Sequence, residues 1–554
     1  MTREKTVLDL HDIQGNIIFG YGRWGYPLSR YLLFKFNSGT KAREFVSALV
    51  PLVTSSAPLY SQNSGARPPA TTNLAFTYAG LRELGLPDDS MRSFPEDFRM
   101  GMKARKAILG DDGPSAPKNW DPVWQDNYSV HMLMTINGRS EGDLNARYEE
   151  VLGLLPDQDP GDTPPSVKLL SGHRGAGGAD NLEYQSGNAI VINGKPTANE
   201  HFRYTDGISD PVFKGQGRSA TEVIGAGKPT TKPPNTVDGW EELETGEFLL
   251  GHRDETFEYP IAPEPRLLSQ NGSFMVYRKL HQNVGKFTAY LEKTSKNYGS
   301  ADASPAERQE TLKAKFAGRW SNGAPLATYP DYAAAMKFGK DWDAAVNTLF
   351  GDPDATEEQK AAARAVYKDL KIKRRAFNYS SNIDGDFDSD IKGARCPLGA
   401  HTRRTNPRGS LEFETPGAFE TPGALANRRR ILRRGLPYGN SDDRTSNDGD
   451  HGIIFMAINT SIERQFEFVQ QQWVNYGNDF KLANEKDALL GNHATDDQGN
   501  PAGRIVINGN EKLEQPTFMC SGMPRFVETR GGDYFFIPSL TALQMIGEGI
   551  IDPT

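Results

Sequence analysis

The chain has 554 residues, 37% of them hydrophobic, with 63 Lys and Arg against 71 Asp and Glu and so a net charge of −8. That length and balance fit a soluble globular protein of roughly two to four domains and exclude a global basic field that would draw it onto nucleic acid. A mean hydropathy of −0.60 and the lack of any apolar run of about 18 residues argue against a membrane-spanning helix, and two cysteines, Cys396 and Cys520, are too few for a disulfide framework or a cysteine-only metal cluster.

From the N-terminus, MTREKTVLDLHD places charges where a secretory leader needs an apolar stretch, so a cytoplasmic location is expected. Leu32, Phe34 and Phe36 at period two predict a strand with one buried face. Ala42, Phe45, Val46, Leu49 and Val50 then predict a helix that Pro51 ends. Strands are expected over Asn73 to Thr77 and Val130 to Ile136, a second helix on Leu144, Tyr148, Val151, Leu152 and Leu155, and a closing strand over Ala189 to Ile192. The order β-α-β-β-α-β is that of a ferredoxin-like unit.

The same grammar returns at longer range. Ser273 to Tyr277 predicts a strand, Val284, Phe287 and Leu291 a helical face, Ile453 to Ile458 a buried strand, Ile462, Phe466, Val469 and Trp473 another helix, and Tyr534 to Ile537 the last strand. Between about 300 and 375 the chain reads as a helical insertion, opened by the capping boxes Ser304-Pro305-Ala306-Glu307 and Thr356-Glu357-Glu358-Gln359. The expected fold is therefore α+β, two ferredoxin-like halves with antiparallel sheets: an N-terminal domain over 1–199 and a C-terminal domain with insertions over 200–554. One local oddity is a tandem hexapeptide, ETPGAF at 414–419 and ETPGAL at 420–425, which reads as a loop extension.

Single motifs carry little. Gly175-Ala176-Gly177-Gly178 lacks the leading strand and third glycine of a dinucleotide loop, and Gly225-Ala226-Gly227-Lys228 runs into Pro229 where a phosphate loop needs Ser or Thr. Asp206-Gly207 alone says turn. His401 alone reads as a hydrogen-bonding surface residue. Arg428-Arg429-Arg430 with Arg433-Arg434 reads as a solvated or ion-paired run, although Ile431 and Leu432 suggest that one arginine turns inward toward an anion.

Their order along the chain says more. Asp12 to Ile17 (DIQGNI), Asn73 to Thr77, Asp206-Gly207, Gly246 to Gly251 (GEFLLG), Gly318-Arg319-Trp320, the His401 segment, the Arg433 segment, Ile462 to Phe468 and Tyr534 to Pro538 together resemble the dye-decolorizing peroxidase (DyP-type) family of haem enzymes, in its larger fungal and bacterial branch, almost end to end. The resemblance implies two ferredoxin-like halves with one haem b held mainly by the second. It implies a peroxidase that reduces hydrogen peroxide and oxidises bulky aromatic donors, such as anthraquinone dyes and phenolics, through a ferryl species. The alternative is a non-enzymatic haem-binding or haem-handling protein on the same fold.

Residue by residue, His401 matches the family's proximal iron ligand, Asp206 the distal acid and base of its GxxDG motif, and Arg433 the distal arginine that stabilises charge on the peroxide oxygens. Ile453 and Phe455 match apolar residues that shape the distal pocket, and Asp487 is the choice for the carboxylate that polarises the proximal histidine. A cation beside Asp206 would keep it ionised in acid, so an acidic activity optimum is expected. The expected partners are hydrogen peroxide and aromatic donors, with no nucleic acid, no membrane and a homodimer as an option. Two departures stand out. The first glycine of the GxxDG motif is Arg203, and Arg433 follows His401 by 32 positions, with the hexapeptide duplication inside that gap.

Overall fold

The computed structural model describes residues 7–60, 67–126, 129–157, 164–175, 178–300, 302–379, 390–411, 423–447, 449–509 and 516–551. The first half sets out β1 (Leu28–Phe36), α1 (Gly39–Leu49), β2 (Ala70–Phe76), β3 (Met132–Gly138), α2 (Glu141–Leu152), β4 (Val167–Leu169) and β5 (Gln185–Asn188). Both helices form on the expected stripes. Ser38 and Ser140 accept hydrogen bonds from the Lys41 and Asp143 N–H groups, and the apolar stripes Ala42, Phe45, Val46, Leu49 and Leu144, Tyr148, Val151 are buried.

The second half repeats the plan with β6 (Ser273–Gln282), α3 (Val284–Ser295), three inserted helices α4 (Pro305–Ala317), α5 (Tyr332–Phe350) and α6 (Glu357–Lys373), the short α7 (His401–Thr405), β7 (Leu432–Arg434), β8 (Gly452–Asn459), β9 (Val527–Ile537) and α8 (Leu540–Glu548). Thr356 and Gln359 cap each other reciprocally, whereas at Ser304 only the serine hydroxyl caps. After β8 the helix predicted on Ile462 and Trp473 is wound as two π-helical segments, Ile462–Glu467 and Val469–Val474. ETPGAF and the start of ETPGAL lie outside the described residues.

One antiparallel sheet of ten strands runs through both halves in the order β7-β8-β6-β9-β2-β3-β1-β4, with β5 also on β1 and Pro437–Tyr438 on β8. Each half contributes its strands in the same spatial order, second, third, first, fourth. The seam between them is a single residue pair, Phe536 with Phe76. Among the described residues no strand pairing joins β7 to β4, so the ladder is open. It nevertheless folds back on itself: Tyr31 of β1 meets Tyr277 of β6 ring to ring at 5.8 Å. The strand sets of the two halves, a first and a second sheet joined at that seam, are therefore packed face to face, and this explains one departure from expectation. β1 is buried on both faces, with Leu32 and Leu33 at 0% and 1% exposure, rather than on one.

A second departure concerns the closing strand. Ala189 to Ile192 does not close the first sheet. The edge of β1 is shared by β4, opposite Phe34 to Phe36, and β5, opposite Leu28 to Tyr31, while Val191–Ile192 forms an exposed hairpin with Lys195–Pro196. Two short strands, one of them the polar Gln185-Ser186-Gly187-Asn188, leave no apolar run to read. No helix among the described residues is long and apolar enough to cross a membrane.

Candidate active site

Strand alternation decides which side chains meet. β7 pairs Arg433 with Ala457 of β8, and β8 in turn pairs Phe455 with Arg278 and Ile453 with Leu280 of β6. Residues paired across antiparallel strands share a face, so Arg433, Ala457, Phe455 and Ile453 stand together on the face turned away from the first sheet. Arg434 points the other way, where it reaches the carbonyls of Asn16 and Ile17 and the Asp210 carboxylate, the last at 2.8 Å. More than one arginine of the basic run thus turns inward: Arg430 is also 8% exposed and bonds the carbonyls of Ala226 and Gly227.

On the shared face Arg433 Nη1 donates to both oxygens of Asp206, at 2.7 and 3.0 Å. The loop that presents Asp206 is pinned from several sides. The buried Glu200 carboxylate accepts the N–H groups of Phe202 and Tyr204, the Asp206 N–H donates to Ala198, and the Thr205 N–H and hydroxyl both donate to the Ser321 carbonyl. Arg203, in place of the motif glycine, keeps the left-handed backbone a glycine would take, with φ 68°. Gly207 follows at φ 64° and returns its N–H to Asp206 Oδ1.

Although 47% of Asp206 and 44% of Arg433 is accessible, the surrounding protein still governs their charge. Loss of water, the largest influence, pushes the Asp206 carboxyl up; the Arg433 charge, the Gly207 N–H, the Arg433 hydrogen bond and the charge of His401 together hold it below the ordinary carboxylate range. Asp206 in turn keeps Arg433 more firmly protonated than a free guanidinium. The charges of Asp206 and Arg433 are both felt at His401, so the three side chains lie in one neighbourhood.

His401 is the first residue of α7. Its Nδ1 lies 2.9 Å from Oδ2 of the fully buried Asp487, whose Oδ1 accepts the N–H groups of Leu489 and Leu490 at 2.8 Å each. Burial opposes protonation of the ring, but Asp487 outweighs it and makes His401 more basic than a free imidazole; Arg433 and Asp206 act on it more weakly and in opposite senses. Nε2 makes no hydrogen bond to the described residues.

One segment ties the two walls together. Gly318, at φ 84°, lies so close to α7 that a Cβ there would stand 2.3 Å from Thr402 Oγ1 and 3.0 Å from Cys396 Sγ, and three residues later Ser321 anchors the Asp206 loop. Sequence reading singled out Gly318-Arg319-Trp320 as a motif without this bridging role; the Ser321 carbonyl carries no signature that could have shown it.

The structure thus brings Asp206 to Arg433 and Asp487 to His401, and puts Ile453 and Phe455 on the same sheet face as Arg433. Among the described residues no group of three or more His, Cys, Asp or Glu side chains could hold a metal ion. A lone imidazole with Nδ1 engaged and Nε2 free, facing a carboxylate and a guanidinium, fits a cofactor that brings its own equatorial ligands to iron.

Comparison with known proteins agrees along the whole chain. The family model described as the DyP dimeric alpha+beta barrel domain matches residues 12–158. The chain is 26% identical over 556 residues to the dye-decolorizing peroxidase msp1 of Mycetinis scorodonius, covering 97% of this chain and 88% of that one. It is 26% identical over 559 residues to the multifunctional dye peroxidase DyP2 of an Amycolatopsis species, covering 98% and 96%. Among solved structures, an ancestral D-type dye decolorizing peroxidase superposes with a TM-score of 0.70 at 26% identity, over 97% of this chain and 99% of that one. A dye-decolorizing peroxidase in complex with 2,6-dimethoxyphenol superposes at 0.67 and 24% identity, over 98% and 100%.

Proposed function

This chain belongs to the DyP-type peroxidase family, and from that premise we propose that it binds one haem b in the cleft between His401 and the Asp206–Arg433 pair. It is a peroxidase, an oxidoreductase with hydrogen peroxide as acceptor and dyes and phenolics as donors. Family members are haem-dependent. Bound there, a haem would supply the iron and the redox equivalents needed to cleave the peroxide O–O bond and to oxidise donors.

His401 Nε2 is the atom free to ligate that iron, and Asp487, by accepting the Nδ1 proton, fixes the tautomer and strengthens the imidazole as a donor. Asp206, held ionised, takes the proton from one oxygen of hydrogen peroxide and returns it to the other, which leaves as water. Arg433 fixes the carboxylate through its two hydrogen bonds and stabilises negative charge developing on the peroxide. Ile453 and Phe455, on the same sheet face as Arg433, supply apolar surface to that wall.

Every one of these residues comes from the segment 200–554, which supports a haem domain there and an N-terminal domain over 1–199. The dimeric domain named by the family model supports a homodimer, for which light scattering after gel filtration is the test.

The observation that carries the reading is the pairing of Asp206 with Arg433 opposite that of His401 with Asp487. Reconstitution with haem, followed by peroxide and an anthraquinone dye, should give turnover that Asp206→Ala and Arg433→Ala sharply lower. Full haem binding without turnover in the parent chain would instead favour a haem-handling protein.

A further inference from the structure

Side-chain links join the segment 201–210 to the chain that continues from Arg433, and Asp206 lies between two of them. Four residues after it, Asp210 meets Arg434 at 2.8 Å. Five residues before it, His201 reaches the Tyr438 carbonyl through Nε2 at 2.8 Å and the Ser441 hydroxyl through Nδ1 at 2.7 Å. His201 and Tyr438 are each 1% exposed, whereas nearly half of the Asp206 and Arg433 side chains is accessible. An ion pair that open to water contributes little to holding a loop in place, so the buried link is the one able to do it.

The His201 ring is fully used. A carbonyl oxygen only accepts, so Nε2 carries the proton and donates to Tyr438, which leaves Nδ1 to accept from the Ser441 hydroxyl. The backbone around the ring is held as well: Arg444 donates to the His201 carbonyl, and the neighbouring Glu200 carboxylate accepts from Phe202, Tyr204 and the Gln282 side chain of β6. At the other end of the link, β8 sets both partners in one register, pairing Arg433 with Ala457 and Tyr438 with Gly452. His201 thus fastens the loop of Asp206 to the same strand that places Arg433.

We propose that His201 is a positioning residue for the peroxide step: its buried link to Tyr438 and Ser441 holds the Asp206 carboxylate in register with Arg433. It acts through Asp206 and not on peroxide itself. Without the link the loop is free to shift against β7, and a misplacement of about 1 Å between reacting groups costs on the order of 10²-fold in rate. Oxidation of the donor, which does not use Asp206, is independent of the link. The inference rests on Asp206 and Arg433 serving the peroxide step, which Asp206→Ala reports by itself.

The test is the pair of constants kcat/KM for hydrogen peroxide and kcat/KM for an anthraquinone dye, measured on haem-loaded parent, His201→Leu, His201→Gln and Ser441→Ala proteins and referred to haem content. His201→Leu should lower the peroxide constant by roughly 10–100-fold and leave the dye constant at the parental value. His201→Gln, whose amide still donates to Tyr438 and accepts from Ser441, should recover most of that loss, and Ser441→Ala, which frees Nδ1 alone, should show a smaller one. Added to Asp206→Ala, His201→Leu should cost nothing further. A general loosening of the fold lowers both constants together, and that result overturns the proposal. So does an unchanged peroxide constant in His201→Leu, a Gln variant as impaired as the Leu variant, or a further loss in the Asp206→Ala background. If His201→Leu does not fold, Ser441→Ala decides, and an unchanged peroxide constant there overturns the proposal. Should Asp206→Ala itself keep the parental peroxide constant, the reading of the site fails first and this inference falls with it.

Discussion

Arg433 gives both hydrogen bonds of the Asp206 pair through a single nitrogen, Nη1, at 2.7 and 3.0 Å. Arg433 thus orients the carboxylate and, more than any other group, keeps it ionised. Arg433→Leu should lower turnover by about 10²–10³-fold and, with the main opponent of burial removed, let the Asp206 carboxyl rise. The sign follows from the shift: Asp206 works while it is ionised, so in the parent its role persists as the pH falls below the ordinary carboxylate range and fades only at the depressed value. Rate profiles for the two proteins from acid to neutral pH check this; an acid limb that stays in place contradicts it.

His401→Ala should abolish the histidine-ligated haem spectrum, whereas Asp487→Asn should keep a haem spectrum but weaken binding by roughly 10–100-fold. Titration of the apoproteins with haem measures both.

Arg203 offers a test of strain. A left-handed backbone at a residue with a Cβ costs about 1–2 kcal/mol, partly offset by the extra chain freedom a glycine would lose, about 0.5–1 kcal/mol. Arg203→Gly should therefore melt at the same or a slightly higher temperature, with turnover retained, while the β-branched Arg203→Val should melt lower.

Gly318→Ala should lose about 1–3 kcal/mol of stability and perturb the haem spectrum, because the new methyl group meets Thr402 Oγ1 one residue from His401. If the clash is the cause, adding Thr402→Ala recovers part of the loss; denaturant midpoints of the single and double variants decide.

Acid should cost stability before it costs ionisation of Asp206. His201, His281 and His451 are buried, the His451 ring 5.3 Å from that of His201 and 5.2 Å from that of His281, and burial pushes all three down, His201 to about 4. Above pH 6.5 or so both folded and unfolded chains hold them neutral. As the pH falls from there toward 4 the unfolded chain takes up protons that the folded one refuses, so stability declines through that window. For His201 alone the decline is on the order of 3 kcal/mol at most. Melts at half-unit pH steps should show it, and His201→Gln should flatten the slope.

Much of this architecture was legible in spacing alone. The stripes on Ala42 and Val46 and on Leu144 and Val151 located the two longest helices of the first half because burial of one face leaves a 3.6-residue trace. What spacing could not show was which faces of a strand would be covered: β1 looks one-sided, and only the second sheet folded against Tyr31 makes it two-sided. The site divides in the same way. His401, Asp206 and Arg433 sit in motifs that resemble a known family, whereas the link from His201 joins it to Tyr438 and Ser441, 237 and 240 positions away. Letters that far apart cannot carry that.

The seam between the halves is one strand pair wide, yet it is not where the protein would come apart. Gln14, near the start, donates to the carbonyls of Leu74 and Pro538, Asp12 accepts the N–H of Thr541, and Arg434 grips Asn16 and Ile17 across the interface. Nothing on either side can be released without exposing these groups, so the molecule should denature in a single cooperative step, and neither half, expressed by itself, should reach a native state.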